Sequence, residues 1–100
     1  MDELEKVMML IANSGEARSK SMEAIQWAKK KDFDKAKELL AEAKSSSQKA
    51  HKIQTMFIQE EAAGNKLEIN VLLIHAQDHL MNALTILDLA GEFVDLYGEL

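Results

Sequence analysis

The stretch LEINVLLIHAQDHLMNALTILDLAGEFVDLY, residues 67–97, decides the fold. Its apolar residues recur at steps of three and four, which is the spacing of one helix face, and no proline interrupts it. We therefore predict a single long helix from about Leu67 to Tyr97. The row expected to face the core of the protein is Ile69, Leu73, Ala76, Leu80, Ala83, Leu87, Ala90, Val94 and Tyr97.

A second row lies on nearly the opposite face of the same helix. At about 100° of turn per residue, Ala76 in the first row and Asp78 in the second are about 160° apart. A three-helix monomer covers only one of these faces, so the second row predicts contact with a partner subunit. The alternative is a long helix with a few surface apolar residues. The row is Val71, Ile74, Asp78, Met81 and Thr85, continuing into Asp88 and Glu92.

Two further helices precede this one. The first is predicted from about Asp2 to Lys29, and the second follows Asp32, a favourable N-cap, and ends near Ala63. Residues 64–65 are Gly-Asn, a pair that tolerates the left-handed conformation closing many helices. Short connections favour an antiparallel neighbour, so we predict an all-α, antiparallel three-helix bundle forming a single domain over residues 1–100.

The first two helices carry apolar rows of their own. Helix one has a large-residue row of Leu4, Met8, Ile11, Gly15, Met22 and Ile25, and a mostly small row of Val7, Leu10, Ser14, Ala17, Ser21, Ala24 and Ala28. The small row would let another backbone approach closely. The predicted inward face of helix two is Phe33, Ala36, Leu40, Ala43, Ser47, Ala50, Gln54 and Phe57.

Composition narrows the function classes. The net charge of −5 argues against a nucleic-acid-binding protein, which would normally carry a basic face. Without cysteine the chain has no thiolate nucleophile and no disulfide. The acidic N-terminus does not resemble a signal peptide, and no apolar run approaches membrane-spanning length. We expect a soluble, cytoplasmic protein with no direct membrane insertion.

The densest chemistry is at residues 75–79, His-Ala-Gln-Asp-His. His75 and His79 are four residues apart and therefore neighbours on one helix flank, whereas Gln77 projects from the opposite flank and would approach a His75 only from another subunit. The pair could bind Zn²⁺, although no third ligand is evident and Ala76 stands where a metalloprotease needs Glu. One imidazole could instead be a nucleophile that forms a phosphohistidine, or both could be structural.

Asp78 and His51 raise separate questions. A carboxylate within an apolar interface is costly unless it is paired or bound to a cation. If a symmetry axis ran along the second row, copies of Asp78 would converge and a hard ion such as Mg²⁺ could bind between them. The alternative is a single exposed aspartate. For His51, on helix two, a structural or surface role is the default expectation.

Several motifs together resemble the lactose/cellobiose-type enzyme IIA components of the phosphoenolpyruvate-dependent sugar phosphotransferase system. The similarity covers nearly the whole chain, and the stretch at 72–81 is the most specific part. The motifs are Asn13-Ser14-Gly15, Ala17-Arg18-Ser19, Asp32-Phe33 with Ala36, Ala50-His51 with Gln54-Thr55, Glu61-Ala62-Ala63-Gly64 and Leu72-Leu73-Ile74-His75-Ala76-Gln77-Asp78-His79-Leu80-Met81.

The resemblance implies a trimer of three-helix bundles, hence a nine-helix assembly. It implies that His75 accepts a phosphoryl group from HPr and passes it to a cysteine of the cognate IIB, upstream of IIC, for uptake of a β-disaccharide. Gln77 and His79 would support this transfer. Asp78 from each subunit would hold a divalent cation, Mg²⁺, at the trimer axis. Lys31 departs from the family pattern, because many relatives carry Gly there.

Two other hypotheses remain open at this point. One is a non-catalytic helical oligomerisation module with structural histidines. The other is a metal-dependent enzyme that uses His75, Asp78 and His79 together, which lacks an evident further ligand.

Overall fold

The computed structural model describes all 100 residues and contains three α-helices and no strand. Helix α1 spans Glu3–Lys29, α2 spans Phe33–Ala62 and α3 spans Val71–Glu99. The prediction of an all-α chain with three long helices is confirmed. At about 1.5 Å of rise per residue, helices of this length account for the 51 Å long axis of the molecule.

Two ion pairs show the up-down relation of α1 and α2. Lys6 lies 3.8 Å from Glu60, and Lys20 lies 3.1 Å from Glu42, so residues early in α1 face residues late in α2. The hydrogen bond and the charge of Glu42 raise the pKa of Lys20 above its ordinary value. Val94, late in α3, shares one core cluster with Ala28, late in α1, and Ala36, early in α2, so α3 reverses direction again and runs parallel to α1. None of the three helices has the length and apolar content needed to cross a lipid bilayer.

The turn between α1 and α2 holds Lys31 in the left-handed conformation, at φ 69°. The N–H of Lys31 donates to the carbonyl of Ala28, and the N–H of Asp32 donates to that of Trp27, each at 3.0 Å. This closing pattern normally uses glycine, because a side chain in that conformation costs about 1–2 kcal/mol. The Asp32 carboxylate then caps α2 by accepting from the Lys35 N–H at 3.1 Å.

The end of α2 agrees with the Gly-Asn stop predicted from the sequence. Gly64 adopts φ 91°, and its N–H donates to the Glu61 carbonyl. The N–H of Asn65 reaches back to the Glu60 carbonyl at 3.0 Å, so the last carbonyls of the helix are satisfied.

The predicted start of α3 at Leu67 is wrong. The helix begins at Val71, and Asn70 caps it, its side chain accepting from the Leu73 N–H at 2.9 Å. Residues 65–70 form a connection without regular secondary structure, and Ile69, expected in the core, is 72% exposed. Apolar spacing continues through this segment, but the cap fixes where the helix begins.

The small row of α1 forms its buried face, and it does so completely. All its members are buried: Val7, Leu10, Ser14, Ala17, Ser21, Ala24 and Ala28. By contrast Leu4, Met8 and Met22 of the large row remain exposed. Small side chains let the helix axes approach closely. Helix α1 therefore packs against the bundle through its small residues, and bulky residues of its other row stay outside the core.

The predicted inward faces of α2 and α3 need correction at several positions. In α2, Phe33, Leu40 and Gln54 are only half-buried. The buried positions that the prediction omitted are Leu39, Ser46 and Ile53. In α3 the predicted row is buried except at Ile69, which precedes the helix, and at Leu87 and Tyr97, which are half-buried.

Candidate functional site

The histidine pair on α3 is the main cluster of reactive side chains. The Nε2 atoms of His75 and His79 lie 3.0 Å apart, a hydrogen-bonding distance. The rings meet edge to face, with centroids 4.4 Å apart and planes inclined at 89°. The side chain of His75 is exposed and that of His79 is half-buried. His79 can therefore orient the His75 imidazole, which stays accessible to a visiting protein.

Core packing holds the turn that carries this pair. Ala76 and Leu80 are fully buried, and each directly follows one of the histidines. They belong to the core cluster that also contains Leu10 and Phe57. The backbone beneath the imidazoles is thus anchored by α1 and α2, which limits movement of the histidine side chains to their own rotamers.

Gln77 points to the other flank of α3. Its Oε1 accepts a hydrogen bond from Nε2 of Gln54 on α2, at 2.7 Å, and it is half-buried. Within one chain Gln77 therefore contacts α2 and stays apart from the histidine pair. The sequence contained no signal for its pairing with Gln54, because that pairing depends on the register between two helices.

Asp78 lies on the exposed face of α3, which we call the Asp78 face: Val71, Ile74, Asp78 and Met81. Ile74 and Met81 are 58% and 45% exposed, and Asp78 forms none of the salt bridges in the chain. No group of three metal-ligating side chains occurs within one chain. A single carboxylate offers too few oxygens for a hard cation, so Asp78 fits a metal site only if other copies bring further carboxylates beside it.

An apolar surface from α1 adjoins the histidine turn, and the sequence-based site residues did not include it. Leu4 and Leu72 line one cavity of about 340 Å³, and Leu72 lies one turn before His75. Met8, one turn after Leu4, is also exposed. The large-residue row of α1 was the sequence signal that could have identified this surface. A row of large apolar residues that is not buried within its own bundle is free to contact a partner.

His51 lies on α2, away from the histidine pair. It is exposed and lines a groove of about 500 Å³ between α2 and α3. Trp27 is half-buried at the opposite end of the bundle, with the Lys30 ammonium 4.8 Å from its ring centroid.

Fold and site together define a class: a small helical protein that presents a reactive imidazole at its surface on a rigid helix. The sequence matches the family described as "PTS system, Lactose/Cellobiose specific IIA subunit" over residues 5–98. The chain belongs to this family of the phosphotransferase system, whose members carry phosphoryl groups.

Relatives and solved structures agree with that membership. The chain is 44% identical to the lichenan-specific phosphotransferase enzyme IIA component of Bacillus subtilis strain 168, over 99% of this chain and 91% of the relative. It is 39% identical to the N,N'-diacetylchitobiose-specific EIIA component of Escherichia coli K12, over 99% and 86%.

Two solved structures share the fold. The crystal structure of the cellobiose-specific enzyme IIA from Bacillus anthracis has a TM-score of 0.94 and 52% identity, covering 99% of this chain and 92% of that one. The solution structure of the IIA(Chitobiose)–HPr complex of Escherichia coli has a TM-score of 0.85 and 35% identity, covering 99% and 96%.

Proposed function

We propose that His75 accepts a phosphoryl group from HPr and passes it to a cysteine of the cognate IIB, which acts upstream of IIC in the uptake of a β-disaccharide. The observation that carries this proposal is the exposed His75 imidazole, with Nε2 held 3.0 Å from Nε2 of His79. Family membership supplies the reaction class, and a solved relative in complex with HPr supports the choice of donor. The transfer takes place in the cytoplasm.

Phosphoryl transfer requires little covalent catalysis from the carrier protein beyond its nucleophile. In-line phosphoryl transfer needs a positioned nucleophile and stabilisation of charge on the phosphoryl oxygens. Nε2 is the ring nitrogen of His75 farther from the backbone, and we expect it to take the phosphoryl group. His79 must then release Nε2 of His75, and its N–H can donate to a phosphoryl oxygen instead. His79 is thus proposed as a supporting residue.

The surface around His75 suits a transient partner. Leu72, one turn before His75, and Leu4, which lines the same cavity, provide exposed apolar contact area near the nucleophile. A modest apolar patch of this kind favours a contact that forms and dissociates rapidly, as a carrier with two successive partners requires. Donor and acceptor proteins would use the same patch in turn.

A threefold assembly is the second part of the proposal. Val71, Ile74 and Met81 are exposed on the Asp78 face, a set of side chains that a monomer leaves in water. Three copies packed through this face would form a nine-helix trimer and bring three Asp78 carboxylates together. A divalent cation, for which Mg²⁺ suits the oxygen donors, would bind between the carboxylates and offset their repulsion.

Phosphotransfer in vitro tests the proposal. Incubation with phosphoenolpyruvate, Enzyme I and HPr should give an acid-labile phosphoryl label on the protein, and the label should pass to a cognate IIB. His75→Ala should remove the label while the helical fold persists, because the side chain is exposed. A wild-type protein that takes up no label would favour the alternative, an oligomerisation module with structural histidines.

A further inference from the structure

The edge of α2 that borders α3 carries a histidine that the proposed transfer does not use. His51 is exposed there and lines the α2–α3 groove of about 500 Å³. The other groove residues are mostly polar: Ser47, Gln48, Lys52, Thr55 and Leu84. The hydroxyls of Ser47 and Thr55 donate to backbone carbonyls of their own helix, at 2.8 and 3.0 Å. The imidazole of His51 has no hydrogen-bond partner in this structure, so both its nitrogens are available to a ligand.

Within one chain His51 cannot reach His75. Measured around α3 from Asp78, His75 and His79 lie about 60° and 100° to one side, whereas Gln77 lies about 100° to the other. The bond from Gln54 to Gln77 shows that α2 covers this second side. The two sides are called the His75 flank and the Gln77 flank.

A threefold ring changes this relation, and here the inference rests on the proposed trimer. Rotation about an axis in front of the Asp78 face is a heterologous arrangement, so each His75 flank faces the Gln77 flank of the next protomer. The edge of α2 beside that Gln77 flank includes His51, so this edge also faces the His75 flank of the adjacent protomer. A closed ring has no translation along its axis, so heights along α3 are the same in every protomer.

The height of His51 follows from the hydrogen bond between Gln54 and Gln77. His51 precedes Gln54 by three residues, which is about 4.5 Å along the helix. Because α2 is antiparallel to α3, His51 lies about three residues beyond Gln77, at the height of Leu80 and one residue past His79. It therefore faces the adjacent protomer across the subunit boundary beside His79, about 7.5 Å along the helix from the height of His75.

We propose that His51 of one protomer completes the phosphoryl site at His75 of the next. A ring N–H of that His51 donates a hydrogen bond to a charged phosphoryl oxygen, opposite the bond that His79 provides. Phosphorus gains a bond to Nε2 of His75 as its bond to the donor's leaving atom breaks, and that electron pair leaves with the donor. His51 forms no covalent bond with phosphorus.

This arrangement gives the trimer a function in the transfer. The nucleophile and its neighbour His79 come from one subunit, and the far wall of the site comes from another. Each of the three sites would then be incomplete in a monomer. A defective His51 is therefore expected to slow labelling of His75 on the adjacent subunit and not of His75 on its own chain.

Single variants give the first readout, the initial rate of labelling from phospho-HPr. His51→Ala should slow labelling of His75 about tenfold, the effect of one charge-assisted hydrogen bond. His51→Gln, which keeps a side-chain N–H donor, should recover part of that rate. Lys49→Ala is the matched control and should label at the wild-type rate, because Lys49 is exposed and lies about 140° around α2 from Gln54, which contacts α3.

Mixed trimers give the decisive readout. His75→Ala subunits, which bear an intact His51, are denatured and refolded with an equal amount of His51→Ala subunits, which bear an intact His75. About half of the intact His75 side chains should then face an intact His51 in the ring. These should label at the wild-type rate, giving a fast phase that neither variant shows alone.

A mixture that labels only at the slow His51→Ala rate would overturn the inference, as would wild-type kinetics of the His51→Ala trimer itself. Either result leaves the proposed function intact, provided that the wild-type protein takes up label. Absence of label on wild type is the separate outcome that contradicts the proposed function.

Discussion

Replacing His79 tests how the histidine pair works. The change is His79→Ala, which removes the group whose Nε2 lies 3.0 Å from Nε2 of His75. A hydrogen bond that involves a charged group contributes about 1.5–3 kcal/mol, which corresponds to a factor of about 10 to 150 in rate. His79 is half-buried, so water screens part of this interaction and can replace the lost donor. We therefore expect the lower end, about a tenfold loss.

The assay is rapid-quench labelling from phospho-HPr, with the rate followed at several donor concentrations. His79 acts on the phosphoryl group rather than on docking, so the maximal rate should fall while the concentration of HPr giving half-maximal rate changes little. His79→Gln, whose amide N–H can also donate, should restore part of the rate. Labelling of His79→Ala at the wild-type maximal rate would refute this role for the pair.

Three further predictions address the axis, the first turn and the imidazole nitrogens. Asp78→Leu should abolish binding of the divalent cation while the trimer persists, as metal analysis and light scattering would show; a monomeric variant with normal labelling would contradict the axis assignment. Lys31→Gly should raise the unfolding free energy by about 1 kcal/mol, or several degrees in unfolding temperature, because only glycine adopts φ 69° without strain. Lys30→Gly, at φ −84°, is its control and should bring no gain. Zn²⁺ should slow labelling, because two imidazole nitrogens on one tetrahedral Zn²⁺ stand about 3.3 Å apart, near the spacing observed; His79→Ala should be much less sensitive, and equal sensitivity would exclude chelation by the pair.

Helical spacing predicted the number and type of elements but not every boundary. The apolar rows at steps of three and four predicted three helices, and the Gly-Asn pair predicted the end of α2. The start of α3 was misplaced because Leu67 and Ile69 continue the apolar spacing into the irregular connection before the helix. The Asn70 cap decides that boundary, and a cap outweighs a weak periodic signal by satisfying backbone N–H groups that would otherwise lack partners.

The choice of buried face on α1 shows a second limit of periodicity. Two rows have helical spacing, and size alone would favour the row with Leu4 and Met8 for the core. The structure instead buries the row with Ser14 and Ala17, because close approach of three long helices requires small side chains. Large residues outside the core are consistent with a surface that contacts other proteins.

The candidate site was partly predictable. The four-residue spacing of His75 and His79 places them together wherever that segment is helical, and the structure brings them to hydrogen-bonding distance. The partner of Gln77 was not predictable, since Gln54 is distant in sequence and only the register of α2 against α3 brings the two amides to 2.7 Å. The position of His51 beside this contact depends on the same register.

The most direct test of His75 as the phosphoryl acceptor locates the phosphoryl group on the protein. NMR of the ¹⁵N-histidine-labelled, phosphorylated chain at alkaline pH, where phosphohistidine persists, resolves the imidazole nitrogens of all three histidines. We expect one phosphorylated ring, with phosphorus coupled to Nε2 of His75. Coupling to a nitrogen of His51 or His79, with His75 unmodified, would contradict it.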